Sequence, residues 1–300
     1  MIDSTLMNRR EFIGAAAGSA ALTAAAQSIQ PILDIHQHTD YSGRPDAVML
    51  KHQETMGVAK TILLPAGKWY ELEAGASGND RVWEIVRQYP DRYLCFANEV
   101  PSEPEARQVI ERYLKMGAQG IGEQKFFMDV TGKEMALLCD IAQDYAVPIL
   151  LHFQHERYNV KFDQFYRVLE RYPKVNFIGH AQTWWANIDL KHEQSVLYPK
   201  WKVTAGGWTD RYLRDYPNMF GDLSAGSGLN AFQRDEAQAG EFIKRHQDKL
   251  LYGSDCSDHI GAGPKCSGSR QIAEMKKLAS PAIQKKLFWD NAARIIRLGS

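Results

Sequence analysis

Neither sign of charge is in excess in this 300-residue sequence, which carries 36 lysines and arginines against 36 aspartates and glutamates. With no basic run interleaved with aromatics, that balance leaves no footprint for nucleic acid or for an acidic membrane surface. Cysteine is scarce. Cys95, Cys139, Cys256 and Cys266 are too few for a disulfide scaffold, and no CxxC suggests a zinc ribbon. Cys256 and Cys266 are read either as a pair or as two free thiols. Long apolar runs are also missing, because the one small-residue stretch near the N-terminus is too short and too rich in Ala and Gly for a good membrane span. A hydrophobic content of 44% is nonetheless ample for a sizeable core. The length suits one large domain or two modest ones, and an α/β barrel typically takes about 250 residues.

The N-terminus has the composition of a targeting segment. Asn8-Arg9-Arg10-Glu11-Phe12-Ile13-Gly14 leads into small and apolar residues that end at Ala24-Ala25-Ala26-Gln27. A basic start, a weakly hydrophobic run and an A-x-A site make a signal peptide, and the arginine pair followed by Phe12 resembles a twin-arginine signal. The alternative is an amphipathic N-terminal helix. Residues 1–26 are therefore set apart from the folded domain, 27–300, which is expected to be exported to the periplasm or beyond. No cysteine near the cleavage site supports a lipid anchor.

Further on, eight apolar strands are expected near residues 33, 62, 95, 122, 149, 177, 221 and 251. Amphipathic helices over 80–89, 163–172 and 209–216 each run into Tyr-Pro (Tyr89-Pro90, Tyr172-Pro173, Tyr216-Pro217) and then a strand. Proline cannot continue a helix and pushes the preceding residue out of the α region, so the chain turns directly into the next strand. Further helices are expected over 105–116, 134–145 and 237–246, and Ser280-Pro281 opens a last one to about Leu298. Alternating strands and helices imply a parallel sheet, and eight of them a closed (β/α)₈ TIM-like barrel. An open doubly wound sheet is the competing architecture, but no Gly-rich phosphate turn follows the first strand.

The candidate chemistry lies at strand ends. The first strand, Ile32-Leu33-Asp34-Ile35, runs into His36-Gln37-His38, and residues two apart on a strand point the same way. Glu123 lies on the fourth strand, and His152, His180 and Asp255 follow the fifth, sixth and eighth. A barrel brings all of these to one face. Three or four imidazoles with one or two carboxylates suit Zn²⁺, or Mn²⁺ where carboxylates dominate, as one ion or two. Asp255 is the candidate general base and acid, and His180 the candidate partner of a substrate carbonyl. Trp184, Trp185 and Trp208 are candidate walls of a substrate pocket, and Arg211 and Lys68 candidate partners of a substrate carboxylate. His155 and His259 are read as loop residues rather than supports of the metal ligands.

The HxH, "ILLHF", "FIGHA", "LLYGSD" and the closing "LFWDNAARIIRL" together resemble the amidohydrolase superfamily, specifically its amidohydrolase-related (amidohydrolase 2) group, over roughly Asp34 to Leu298. That resemblance implies a metal-dependent enzyme with His36, His38, His152 and Asp255 as ligands, and His180 as a ligand or proton-transfer residue. It also implies either lactone, ester or amide hydrolysis or non-oxidative decarboxylation of a small acid. Gly122-Glu123-Gln124-Lys125 departs from the Gly-Ile-Lys common in that group and is similar instead to the superfamily's metal-dependent deoxyribonucleases. Glu123 is accordingly expected either to bridge two ions or to pair with Lys125. The resulting expectation is a metal-activated hydrolase of a small organic molecule, with decarboxylation as the alternative. Neither nucleic acid nor a stable membrane anchor is expected as a partner, and a homo-oligomer is allowed. A non-catalytic binding protein on the same barrel would require a lost ligand, and none of the expected positions is lost.

Overall fold

A computed structural model describes residues 30–67, 75–296 and 298. The expected leader, residues 1–26, and Lys68 lie outside the described residues. In chain order β1 (Ile32–Gln37) is followed by α1 (Asp46–Met56), β2 (Val58–Leu63), α2 (Asn79–Gln88), β3 (Tyr93–Cys95), α3 (Ala106–Met116), β4 (Ile121–Gln124) and α4 (Lys133–Tyr145). Next come β5 (Ile149–His152), α5 (Tyr166–Arg171), β6 (Phe177–His180), α6 (Ala181–Ala186), α7 (Trp208–Asp215) and β7 (Met219–Asp222). The chain continues through α8 (Ala225–Gln233), α9 (Glu236–His246), β8 (Leu250–Leu251), α10 (Ser267–Leu278), α11 (Pro281–Lys285), a π-helical turn and α12 (Asn291–Ile295). All eight expected strands are present. Helices α2 and α7 end at the tyrosines that precede proline, as the sequence requires.

Every strand pairing is parallel, β1 to β3 in one run and β4 to β8 in the other. Backbone bonds join the two runs at both seams. Ala97 N–H donates to Gly120 O at 2.8 Å and Gly122 N–H to Ala97 O at 2.9 Å; Ile35 N–H donates to Tyr252 O at 3.1 Å and Asp255 N–H to His36 O at 2.8 Å. The sheet is a closed barrel, and the second seam ties the Asp255 loop directly to the HxH strand.

Alternation along the strands sorts the side chains into two layers. Leu150, Ile178, Phe220 and Leu251 belong to an inner apolar cluster, whereas Ile149, Phe177, Met219 and Leu250 pack outward under the helices. Two residues beyond the first three inner positions come His152, His180 and Asp222, so the apolar plug of the barrel carries a polar layer at the C-terminal ends of its strands. Strand β1 needs a further device, because Ile35 already belongs to the inner cluster. The pairing register shifts between Asp34 and Gln37. An irregularity of this kind re-aims side chains, here turning His36 to the mouth. Gly122 serves β4 similarly: its φ is +125°, and a Cβ there would lie 2.5 Å from Leu150 O, so only glycine lets the chain pass into Glu123.

Candidate metal centre

His36 Nε2 and His38 Nε2 stand 3.1 Å apart. Around them lie Glu123 Oε2, at 3.6 and 3.4 Å, and Asp255 Oδ1, at 3.8 and 3.6 Å. His180 Nε2 is 3.6 Å from both Glu123 Oε1 and Asp255 Oδ2. His152 joins through Nδ1, 2.5 Å from Glu123 Oε1. The six residues expected to bind metal are thus brought together, all buried except Asp255, which is 14% exposed at its side chain.

What the far side of each ring touches fixes its tautomer. His38 Nδ1 is 2.8 Å from Leu64 O, an acceptor only, so the proton is on Nδ1 and Nε2 presents a lone pair. His36 Nδ1 lies 2.6 Å from Asp222 Oδ2, and His180 Nδ1 lies 3.2 Å from the same oxygen and 2.9 Å from Ser224 Oγ. Both rings donate from Nδ1 in the same way. His152 donates from Nδ1 to Glu123, and its buried Nε2 has no hydrogen-bond partner among the described residues. The Nε2 atoms of His36, His38 and His180 therefore face two carboxylates around one point. Such a cluster calls for positive charge among its donors, which ring protons or a metal ion supply. A divalent ion fits this N and O set, with carboxylate-held imidazoles behind it.

The carboxylates draw positive charge into the cluster. Burial alone would lower the His36 imidazole, but the Asp255 and Asp222 carboxylates override it and hold it well above its ordinary range. Burial pulls Asp222 upward, yet the charge of His36 and the bonds from His180 and His36 keep it ionised, far below a usual aspartate. Asp255 is lowered too, by His36, His38 and His180 against its burial. In the Glu123–His152 pair, burial is offset for Glu123 by His152, so it stays ionised, while burial keeps His152 neutral.

Asp222, Asp34 and Tyr41 were not foreseen. Asp222 ends β7 on the same inward face as Phe220, a strand end that the sequence reading passed over. Asp34 is fully buried and accepts from His36 N–H at 3.1 Å, Ser254 N–H at 2.8 Å and Ser254 Oγ at 2.5 Å, bracing the segment that carries Asp255. Burial pushes its carboxyl up to about 6. Tyr41 donates its hydroxyl to Asp255 Oδ1 at 2.9 Å. Arg44 is buried behind that segment, with Nη1 donating to Cys256 O and Asp258 O, both at 2.8 Å.

The expected substrate contacts fare differently. Trp184 and Trp185, 0% and 1% exposed, are core residues rather than pocket walls: they pack with Phe153, Phe162, Phe232 and Phe242. The reason is that His180 leads straight into helix α6, which turns both rings inward onto the outer side of the barrel. Arg211 is also turned away, its guanidinium lying 5.3 Å over the Trp208 ring and its Nε donating to Gly206 O. None of its hydrogen bonds or ring contacts involves the histidine–carboxylate cluster. Trp208 itself lines a cleft with Gln154, Asn159 and Thr183. His259 is exposed, and half-buried His155 faces Glu156. Cys256 and Cys266 are free thiols.

The sequence profile of a family described as amidohydrolase matches residues 54–298. It begins beyond the HxH, so the joining of His36 and His38 to the other ligands rests on the geometry alone. No curated protein matches the chain. Among solved structures, an uncharacterised TIM-barrel protein from Bordetella bronchiseptica is similar at TM-score 0.64 and 13% identity, over 88% of this chain and 98% of that one. A probable 2-pyrone-4,6-dicarboxylic acid hydrolase from Acinetobacter baumannii is similar at TM-score 0.60 and 13% identity, over 88% and 98% of the two chains. The 2,6-dihydroxybenzoate decarboxylase from Rhizobium is similar at TM-score 0.57 and 15% identity, over 89% and 98%. At these identities the likeness is one of fold.

Proposed function

Since the chain belongs to the amidohydrolase family, we propose that it is a metal-dependent hydrolase of an ester, lactone or amide bond in a small organic molecule. The observation that carries this reading is the convergence of ring nitrogens from His36, His38 and His180 on Asp255 and Glu123 at one barrel mouth. His36, His38, Glu123 and Asp255 would hold the ion, Zn²⁺ by preference for its two imidazoles and Mn²⁺ as the carboxylate-rich alternative. Such an ion supplies Lewis acidity toward a substrate carbonyl and makes water a nucleophile near neutral pH. Asp255, ionised and oriented by the Tyr41 hydroxyl, takes the proton from the attacking water and returns it to the leaving group. His180, locked by Ser224 and Asp222, keeps Nε2 directed at the same point and positions the reacting group. The Arg9-Arg10 leader supports an exported enzyme, loaded with metal before it crosses the membrane.

Decarboxylation of a small aromatic or unsaturated acid is the second reading, and one feature favours it. The Lys125 ammonium stands 5.7 Å over the Tyr158 ring, which packs edge-on at 5.4 Å from His152, giving a cation beside the centre for a substrate carboxylate. The two readings separate in a single screen. Metal-loaded protein is incubated with lactones, esters, amides and hydroxylated aromatic acids, with oxygen-18 water as solvent. Hydrolysis delivers one solvent oxygen to the acid product, whereas decarboxylation releases carbon dioxide and incorporates a solvent proton at carbon. Release of carbon dioxide, with no lactone, ester or amide turned over, would overturn the hydrolytic reading.

A further inference from the structure

A second group of donors lies between α1 and the loop that runs from Asp255 to α10. His52 and Met56 stand one turn apart on the buried side of α1, Cys256 follows Asp255, and Cys266 is the N-cap of α10. Cys266 Sγ is 3.5 Å from His52 Nε2, 3.7 Å from Cys256 Sγ and 3.7 Å from Met56 Sδ. A ring nitrogen of His52 and both sulfurs lie within 4.8 Å of one another. All four side chains are buried, His52 and Cys266 at 0% exposure.

These separations are the edges of a coordination shell. Metal–sulfur bonds of about 2.3 Å and metal–nitrogen bonds of about 2.0 Å at tetrahedral angles put sulfur about 3.8 Å from sulfur and about 3.5 Å from nitrogen. A disulfide instead needs its sulfurs at about 2.05 Å, well inside the 3.7 Å found here. Cys266 Sγ also accepts the Ser269 backbone N–H at 3.3 Å in the first turn of α10. Two sulfurs and an imidazole, with a thioether alongside, form a soft donor set, unlike the nitrogen and oxygen set at the barrel mouth.

We propose that His52, Cys256 and Cys266, with the Met56 thioether beside them, bind one thiophilic ion, Zn²⁺ or Cu⁺, at a structural site separate from the catalytic centre. Each thiol gives its proton to solvent as its sulfur–metal bond forms, so binding releases two protons and leaves both cysteines protected. The ion ties α1 to the segment that carries Asp255, and Arg44 and Gln37 hold the Cys256 carbonyl of the same segment at 2.8 and 3.1 Å. The site thereby contributes rigidity to a catalytic residue that it does not touch.

The test uses full-length protein purified without oxygen, stripped by chelator and titrated with Co²⁺ as a spectroscopic probe. Thiolate-to-cobalt charge-transfer absorption is expected to saturate at one equivalent in a His36→Ala variant, where the mouth is impaired, and to be absent from Cys266→Ser. Displacement of that band by Zn²⁺ or by Cu⁺, whichever acts at the lower concentration, identifies the ion. The inference fails if wild-type protein gives no charge-transfer band. It fails equally if unreduced protein is lighter by two hydrogens through a Cys256–Cys266 bond. Should Cys266→Ser not fold, the wild-type spectrum and mass decide between these outcomes.

Discussion

Replacing Asp222 with asparagine removes one charge and nearly no volume from behind the metal centre. The carboxylate is 0% exposed and accepts from His36 Nδ1 at 2.6 Å, from His180 Nδ1 at 3.2 Å and from Ser224 Oγ at 2.8 Å. No water can take over these bonds at a fully buried site. A hydrogen bond to a charged group contributes about 1.5–3 kcal/mol, and at 1.4 kcal/mol per tenfold that becomes roughly 10- to 100-fold in metal affinity. Changes to groups that orient metal ligands elsewhere fall in the same range, about 10- to 100-fold. The assay is competition for Zn²⁺ and Mn²⁺ against a chelator of known affinity, with circular dichroism confirming that Asp222→Asn is folded. Ser224→Ala serves as control, since Ser224 supports His180 at 2.9 Å and reaches His36 only at 3.4 Å; its loss of affinity is expected to be smaller. A folded Asp222→Asn protein that binds both ions as tightly as wild type would refute the claim that Asp222 holds the His36 ring for a metal.

Other perturbations have defined outcomes. His180→Gln is expected to lower kcat by about 10²- to 10³-fold with metal content retained, as measured by initial rates beside elemental analysis. Trp184→Ala should act on stability instead of substrate affinity, costing about 3–5 kcal/mol in denaturant unfolding, because the ring is core. Asp210, between α7 and α9, accepts from His246 at 2.6 Å and from Gly206 N–H at 3.0 Å. Burial raises its carboxyl, but His246 and Arg245 prevail and set it below the usual aspartate. A depressed folded pKa contributes stability that is present above the unfolded value, about 3.9, and is lost as pH falls through the folded value. Asp210→Asn should therefore cost about 1–3 kcal/mol at pH 7, with the gap to wild type closing below about pH 4 in urea midpoints.

The barrel was legible because its signals are local. Tyr89-Pro90, Tyr172-Pro173 and Tyr216-Pro217 mark where helices must stop, and β-branched or apolar runs mark each strand that follows. The convergence of the candidate metal ligands was legible for a related reason, since strand ends in a parallel barrel share one face whatever loops intervene. Helix α8 escaped notice because Ser224-Ala225-Gly226-Ser227-Gly228 has the composition of a turn, and only packing against α6 and α10 makes it helical. Asp222 escaped because an aspartate at a strand end looks the same whether it binds metal, orients an imidazole or caps a loop, and Asp34 because an aspartate inside a strand does not announce the loop it braces. Their partners lie 186 and 220 residues away in sequence. Trp184 and Trp185 were misplaced because aromatic residues after a long apolar strand look the same as core and as pocket wall until the backbone direction of α6 is known.

The central claim is that the mouth of this barrel binds a catalytic cation through His36, His38, Glu123 and Asp255. Anomalous diffraction from crystals grown with Zn²⁺ or Mn²⁺, recorded at that metal's absorption edge, tests it most directly. The account predicts a peak within bonding distance, about 2.0–2.2 Å, of His36 Nε2, His38 Nε2 and at least one of the two carboxylates. A map with no peak there, from a protein that still turns over substrate, would contradict it.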